Sequence, residues 1–137
     1  MKRVLLDTNV VLDFALKREP FYENAETILV EIANGTLRGF LTASMATDIF
    51  YLLQKATGKT FALKTFTDLL ILIDVLSVYG EDVHSALQSE WNDFEDALQT
   101  QVAIRNEIDA IITRNVKDFK KAKKINTLTP AEFLAKK

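Results

Sequence analysis

The sequence predicts a three-layer α/β/α fold built around a mostly parallel central sheet of four to five strands. Short apolar runs, typical of buried strands, alternate with longer segments whose apolar residues recur every three or four positions, as in helices. Most predicted strands are separated by helix-length segments, which are the connections that parallel strands require. With 137 residues, of which 48% are hydrophobic, the chain is long enough for one core, and we expect residues 1–137 to form a single domain.

The first half of the chain has the predicted order strand, helix, helix, strand, helix, helix. Apolar runs that indicate strands lie at 2–7 and 39–43. Helical spacing of apolar residues covers 9–17, 23–34, 44–55 and 60–74. Gly35 and Gly58 suit the ends of two of these helices, and Ser44 can cap the helix that it begins.

The second half continues the alternation, with three further strands and three further helices. Strands are predicted at 75–79 and 110–113, with a fifth at 125–128. Helices are predicted at 81–90 and 94–106, followed by a closing helix that begins at Pro130. Asp93 can cap the helix at 94–106, and proline is well suited to a first helical turn.

Composition excludes several kinds of site. The chain has no cysteine and one histidine, so disulfides, thiolate metal sites and multi-histidine metal sites are not possible. Any metal would be held by oxygen ligands, which favours Mg²⁺ or Mn²⁺. The apolar runs are too short to span a membrane, and the first residues resemble a strand and not a signal peptide, so we expect a cytoplasmic protein.

Four aspartates lie at or near the boundaries of predicted elements: Asp7, Asp48, Asp96 and Asp118. Asp7 ends the first strand, where open α/β sheets place their ligands. In a parallel sheet Asp7, Asp96 and the strand end at Thr113 fall at one edge. Carboxylates brought so close repel one another, and a bound divalent cation removes that penalty. The pattern favours a metal-dependent phosphodiesterase site.

Each acid also has a structural explanation. Asp7 or Thr8 can cap the first helix, and Asp93 and Asp96 have the spacing of an acidic capping box. Asp48 is harder to explain in this way. It falls on the apolar stripe of its helix and is expected to point inward, where an unpaired carboxylate is costly.

The charge of the chain is unevenly distributed. Residues 1–113 carry nine Lys/Arg against seventeen Asp/Glu, whereas residues 114–137 carry eight against two. Much of the positive charge lies in the lysine cluster beside Asp118: Lys117, Lys120, Lys121, Lys123 and Lys124. A basic rim beside acids suits a polyanion brought to a metal ion, although such a run can also be a solvated turn or tail.

Taken together, four motifs resemble the PIN-domain family, and within it the small toxin-type (VapC-like) ribonucleases. The matching segments are LLDTN at 5–9, SMATDI at 44–49, DFEDALQ at 93–99, and IITRN with KDF at 111–115 and 117–119. Their order, their spacing and the length of the chain all agree with the family. The resemblance therefore covers nearly the whole chain.

The resemblance implies a Mg²⁺- or Mn²⁺-dependent endoribonuclease with a small PIN-like α/β/α domain. The metal-binding and catalytic acids of the family correspond to Asp7, Asp48, Asp96 and Asp118. The supporting polar positions correspond to Thr8, Asn9 and Thr113, with Asp93 as a further acid. Toxin-type members form homodimers and are silenced by a small antitoxin that covers the cleft, so RNA, a second copy and an antitoxin are the expected partners.

Two other functions fit parts of the pattern. The family usually has glutamate where this chain has Asp48, which favours a catalytically weakened module that binds RNA or a protein without cutting. A haloacid-type phosphatase also begins with a strand that ends in an acid. It needs a second aspartate two residues later, where this chain has Asn9.

Overall fold

The computed structural model describes residues 1–89, 93–119 and 125–136, without the side chain of Asp118. Trp91 lies outside the described part, as do four lysines of the basic cluster (Lys120, Lys121, Lys123, Lys124) and the carboxyl group of Asp118.

The described residues form five strands and seven helices, with helices or helix pairs between most successive strands. The strands are β1 (Lys2–Leu6), β2 (Leu37–Thr42), β3 (Ile73–Leu76), β4 (Ala110–Ile112) and β5 (Asn126–Leu128). The helices are α1 (Thr8–Ala15), α2 (Tyr22–Ala33), α3 (Ala43–Thr57), α4 (Lys59–Leu72), α5 (Gly80–Gln88), α6 (Phe94–Arg105) and α7 (Pro130–Ala135). A 3₁₀ turn (Val116–Phe119) follows β4.

The five strands form one parallel sheet in the order β3-β2-β1-β4-β5. Strand β1 is central, and its Leu5 lies opposite Phe40 of β2 and Ile111 of β4. Because the strands are parallel, their carboxyl ends point to the same edge of the sheet. The prediction of a three-layer α/β fold with a mostly parallel sheet is confirmed.

Both faces of the sheet are covered, which is why β1 ends in three consecutive buried apolar residues, Val4, Leu5 and Leu6. Val4 and Leu6 belong to a large core formed with helices α1, α2, α3, α4 and α7. Leu5, which points to the opposite face, packs in a smaller core with Phe40, Ala103 and Phe119. In the described residues no helix is both long and apolar enough to cross a membrane.

Many predicted boundaries differ from the observed ones by one to three residues, as at β3 and α3. The chain enters β3 at Ile73 and not at Val75, because Ile73 is buried and pairs with Gly39 of β2. The unbroken apolar run before it gave no signal of the change from helix to strand. Helix α3 begins at Ala43 after Thr42, so Ser44 lies inside the first turn, with its Oγ 2.8 Å from Thr42 Oγ1.

Candidate functional site

Asp7 lies where the central strand β1 passes into helix α1, and its carboxylate is held in a fixed orientation. Asp7 Oδ1 accepts a hydrogen bond from the Thr8 amide (2.8 Å), so Asp7 caps α1. Asp7 Oδ2 accepts from the Thr113 hydroxyl (2.7 Å) and from the Asn9 side-chain amide (3.2 Å). Asp7 Oδ1, which accepts only one hydrogen bond among those described, retains a lone pair for a further ligand.

Thr113 and Asn9 tie the end of β4 to the end of β1. Thr113 is fully buried, and its hydroxyl also accepts a hydrogen bond from the Asn115 amide (3.0 Å). Asn9 Oδ1 accepts from the Arg114 amide (3.2 Å). Polar side chains buried at a sheet edge are costly unless they are paired, and here their pairing fixes the position of Asp7.

Helix α6 supplies a second group of acids to the same place. Asp93 caps this helix by accepting a hydrogen bond from the Asp96 amide (3.1 Å), and Glu95 lies between them in the first turn. These three residues line a cavity of about 380 Å³ together with Asp7. We call this cavity the acidic cleft; its other lining residues are Thr8, Asn9, Leu12, Arg18, Leu52, Arg114 and Asn115.

The expectation that Asp48 points inward was wrong, because Asp48 is exposed. The buried stripe of α3 is narrower than its apolar residues suggest. Met45, Ile49 and Leu53 are buried, but Leu52 is 39% exposed and lines the cleft. Asp48 therefore faces water beside the acidic cleft, which is one way for a carboxylate near a core to avoid the cost of burial.

Electrostatics connects Asp48 to the other acids through Glu95. The pKa of Glu95 is raised by burial and then by the negative charges of Asp48, Asp93 and Asp7, with a hydrogen bond to Asp48 adding to the shift. Carboxylates from β1, α3 and α6 are thus close enough to perturb one group. Sequence reasoning did not single out Glu95, although it stands between two acids that were selected.

Two arginines at the cleft share one buried acid. Asp13 of α1 is only 1% exposed, with Arg18 Nε 2.9 Å from its Oδ1 and Arg114 Nε 2.8 Å from its Oδ2. The burial of Asp13 excludes a surface role for this acid. We call Arg18 and Arg114 the arginine rim of the acidic cleft.

The structure brings together most of the residues selected from the sequence. Asp7, Thr8, Asn9, Asp93 and Asp96 line the acidic cleft, Thr113 is bonded to Asp7, and Asp48 lies beside Glu95. The backbone of Asp118 lies in the 3₁₀ turn after β4. The position of its carboxyl group stays a prediction, because the side chain is outside the described part.

The donor set fits a hard divalent cation. The acidic side chains at the cleft offer carboxylate oxygens, which are the ligands that Mg²⁺ and Mn²⁺ prefer. Partial burial raises the pKa of Glu95, and the negative charges of the neighbouring acids raise it further. Within the described residues, no three His, Asp or Glu side chains are already arranged as a metal site. A bound ion would therefore draw the carboxylates closer together.

Comparison with known proteins identifies the family of the chain. Residues 3–117 match the family model described as PIN domain. The chain belongs to the PIN-domain family. The match includes Asp7, Asp48 and Asp96 and ends one residue before Asp118. A search of curated proteins gave no match.

Solved structures with this fold include chains of several toxin–antitoxin complexes. DNA-bound VapBC from Salmonella typhimurium is 15% identical with a TM-score of 0.72, over 95% of this chain and 99% of that one. VapBC-1 from nontypeable Haemophilus influenzae is 15% identical with a TM-score of 0.71, over 94% and 98%. The sarcin–ricin loop cleaving toxin VapC20 from Mycobacterium tuberculosis is 14% identical with a TM-score of 0.63, over 79% and 86%. At these identities the likeness concerns the fold.

Proposed function

We propose that this PIN-domain protein is a Mg²⁺- or Mn²⁺-dependent endoribonuclease, with residues 1–137 acting as one nuclease domain. We further propose that it is the toxin of a toxin–antitoxin pair. The observation that carries the nuclease proposal is the convergence of Asp7, Glu95 and Asp96 in one cleft, with Asp48 beside them and two arginines at the rim.

The acids would hold the cation from three elements of the fold. Asp7 is the most rigidly placed, since Thr8, Asn9 and Thr113 all donate to it. Asp96 and Asp48 approach from α6 and α3, and Asp118 is proposed to complete the set from the turn after β4. A divalent ion held there would lower the pKa of a water and neutralise charge on the scissile phosphate.

The arginine rim suits the phosphates of the substrate. Arginine binds phosphate through a planar set of donors, and Asp13 fixes the direction of both guanidinium groups. Asp13 accepts hydrogen bonds from Arg18 Nε (2.9 Å) and from Arg114 Nη2 (3.3 Å). Each guanidinium group has five N–H donors, which leaves donors for the RNA backbone. We propose that Lys117 and the lysines at 120–124 extend this positive surface.

The antitoxin and homodimer proposals rest on separate observations. Solved structures with the same fold come from VapBC toxin–antitoxin complexes, which supports an antitoxin as partner. Apolar side chains that share one side of helix α4 are exposed: Leu63 (50%), Leu70 (38%) and Ile71 (78%). An exposed apolar surface of this kind is typical of a contact with another chain, and we propose that a second copy covers it.

An RNA cleavage assay tests the nuclease proposal. The purified protein is incubated with single-stranded RNA in Mg²⁺ or Mn²⁺, and in EDTA as a control. We expect cleavage with either metal, none in EDTA, and none from Asp7→Asn, which keeps the size of the side chain but removes its charge. Full activity of Asp7→Asn with Mg²⁺ would contradict the proposal.

A second candidate function, a module that binds RNA or a protein without cutting, is favoured by the shorter Asp48 in place of the family's usual glutamate. Calorimetric titration with Mn²⁺ separates the two. A nuclease should bind the ion and lose that heat in Asp7→Asn, whereas a module that keeps its acids for structure should give no ion-dependent heat.

A further inference from the structure

A second cavity, of about 320 Å³, adjoins the acidic cleft, and Arg114 lines both. Its walls come from the start of α2 and from the start of α7, and its lining residues are Pro20, Phe21, Asn24, Arg114, Thr129, Pro130 and Ala131. The volume lies at the lower end of the range of small-molecule sites. The cavity is therefore large enough for a small ring system but not for a folded partner.

Side chains link this cavity to Asp7. Asn9 donates to Asp7 Oδ2 (3.2 Å) and accepts from the Arg114 amide (3.2 Å). The Arg114 guanidinium carbon then lies 4.0 Å from the centre of the Phe21 ring. A ligand with an anionic group in the acidic cleft could thus place a neighbouring group in the second cavity.

The chemistry of the lining suits a flat ring with polar edges. Phe21 is 37% exposed although Arg114 covers part of its ring, so aromatic surface remains open. No hydrogen bond connects the Asn24 side chain to another residue in the ranges 1–89, 93–119 and 125–136. The Thr129 hydroxyl accepts from the Glu132 amide (3.1 Å) and donates to the Glu132 carboxylate, which leaves one lone pair with which it can accept a further hydrogen bond. Unpaired nucleobases are recognised by stacking on aromatic or arginine planes and by hydrogen bonds to their edges.

We infer that this cavity, here called the base pocket, takes one unpaired nucleobase of the RNA whose phosphate lies in the acidic cleft. The inference rests on the proposed nuclease function and adds a site where the identity of a base is read. Phe21 and Arg114 supply the stacking surface, and Asn24 and Thr129 supply the hydrogen bonds. The base preference of cleavage is then set by residues more than 100 positions apart in the chain.

Titration of the metal-free protein with mononucleotides tests the pocket without any catalysis. The four ribonucleoside 5′-monophosphates are added one at a time and followed by NMR, with ribose 5-phosphate as the control that lacks a base. We expect saturable shifts of the Asn24 side-chain amide and of the Ala131 backbone amide with at least one nucleotide, and none with ribose 5-phosphate. Equal shifts with ribose 5-phosphate, or no shift with any nucleotide, would overturn the inference. If no nucleotide causes a shift, a segment of a partner protein becomes the candidate occupant of the cavity.

Two variants sharpen the test. Asn24→Ala should weaken nucleotide binding about fivefold, the loss expected for one hydrogen bond. Asn34→Ala makes the same chemical change at the exposed C-terminal end of α2 and should not affect binding. Ala131→Leu adds an apolar side chain at an exposed position and should fill the pocket without removing any contact. Wild-type affinity in both Asn24→Ala and Ala131→Leu would contradict the inference.

Cleavage of an RNA pool with randomised positions separates this inference from the nuclease proposal. If both hold, Asn24→Ala changes the base preference at one position beside the cut, and Asn34→Ala does not. If cleavage occurs with the same preferences in Asn24→Ala, the base pocket fails and the nuclease stands. If nothing is cleaved while nucleotides still bind at Asn24, the nuclease proposal fails and the base pocket stands.

Discussion

The two ends of helix α6 differ in how the negative charges beside them are balanced. At its C-terminal end Arg105 donates to both carboxylate oxygens of the buried Asp82, at 2.7–3.2 Å. That hydrogen-bonded ion pair lowers the pKa of Asp82. At its N-terminal end Glu95 lies among Asp48, Asp93 and Asp7, and burial together with this crowding raises its pKa.

The charges at the C-terminal end of α6 stabilise the fold, whereas those at the N-terminal end cost free energy. Asp82 and Arg105 satisfy each other, and Arg105 also lies over the Tyr79 ring at 4.0 Å. The acids at the other end repel one another, while the two arginines of the rim are paired with Asp13. Such local conflicts are most common at functional sites. We infer that the acids at the N-terminal end of α6, here called the crowded end, serve to bind a cation. The Asp82–Arg105 pair at the C-terminal end, here called the paired end, stabilises the fold.

The largest expected effect is on activity at the crowded end. Asp96→Asn should reduce metal-dependent RNA cleavage at least about 100-fold, since even residues that only support metal ligands cost 10- to 100-fold when removed. Its melting temperature should be unchanged or higher, because repulsion is relieved. Asp68→Asn, an exposed acid on α4, is the control. If Asp96→Asn cleaved RNA as fast as Asp68→Asn, the claim that the acids at the N-terminal end of α6 serve catalysis would be wrong.

The next effect is on stability at the paired end. Arg105→Ala should reduce the free energy of unfolding by about 2–3 kcal/mol, because it leaves the buried Asp82 carboxylate unpaired. Arg38→Ala is a matched control, since Arg38 also pairs with an aspartate and lies over an aromatic ring. Its pair with Asp74 is exposed, so its loss should cost less than about 1 kcal/mol. Urea denaturation measures both, and equal losses would contradict the account.

Lowering the pH should weaken the Asp82–Arg105 ion pair and so reduce the stability of the protein. The folded-state pKa of Asp82 lies below its ordinary value. Its contribution to stability is therefore complete above the pKa of the unfolded chain and is lost as the pH falls through the lower folded value. Asp82→Asn should remove this part of the acid sensitivity. The check is urea denaturation of both proteins from pH 6 downward; parallel curves would exclude the proposed role of Asp82.

The smallest expected effect is on stability and concerns Glu95. Here a rise in pH, and not a fall, should destabilise the protein. Because its folded-state pKa is raised, the metal-free protein should lose stability as the pH rises from the ordinary glutamate value through the raised one. Glu95→Gln should abolish this loss, and Glu81→Gln, an exposed acid on α5, should not. Thermal melts in EDTA between pH 4 and 7 measure it. A wild-type loss that persists in Glu95→Gln would have another source.

The sequence predicted the layers of the fold and the position of Asp7, because strand ends and helix caps are local features. It did not predict which way Asp48 faces, since the width of a buried stripe depends on the elements that pack against it. The pairing of Asp13 with Arg18 and Arg114, and the cavity lined by both Phe21 and Pro130, depend on tertiary structure. Such contacts between distant segments leave no periodic signal in a single sequence.

The most direct test of the central claim is the anomalous scattering of a crystal soaked in Mn²⁺. The account predicts a peak in the acidic cleft, bound by carboxylate oxygens of Asp7 and Asp96, with Asp48 or Glu95 in contact directly or through water. A saturating soak that gives no peak there, or a peak only at acids elsewhere on the surface, would contradict it.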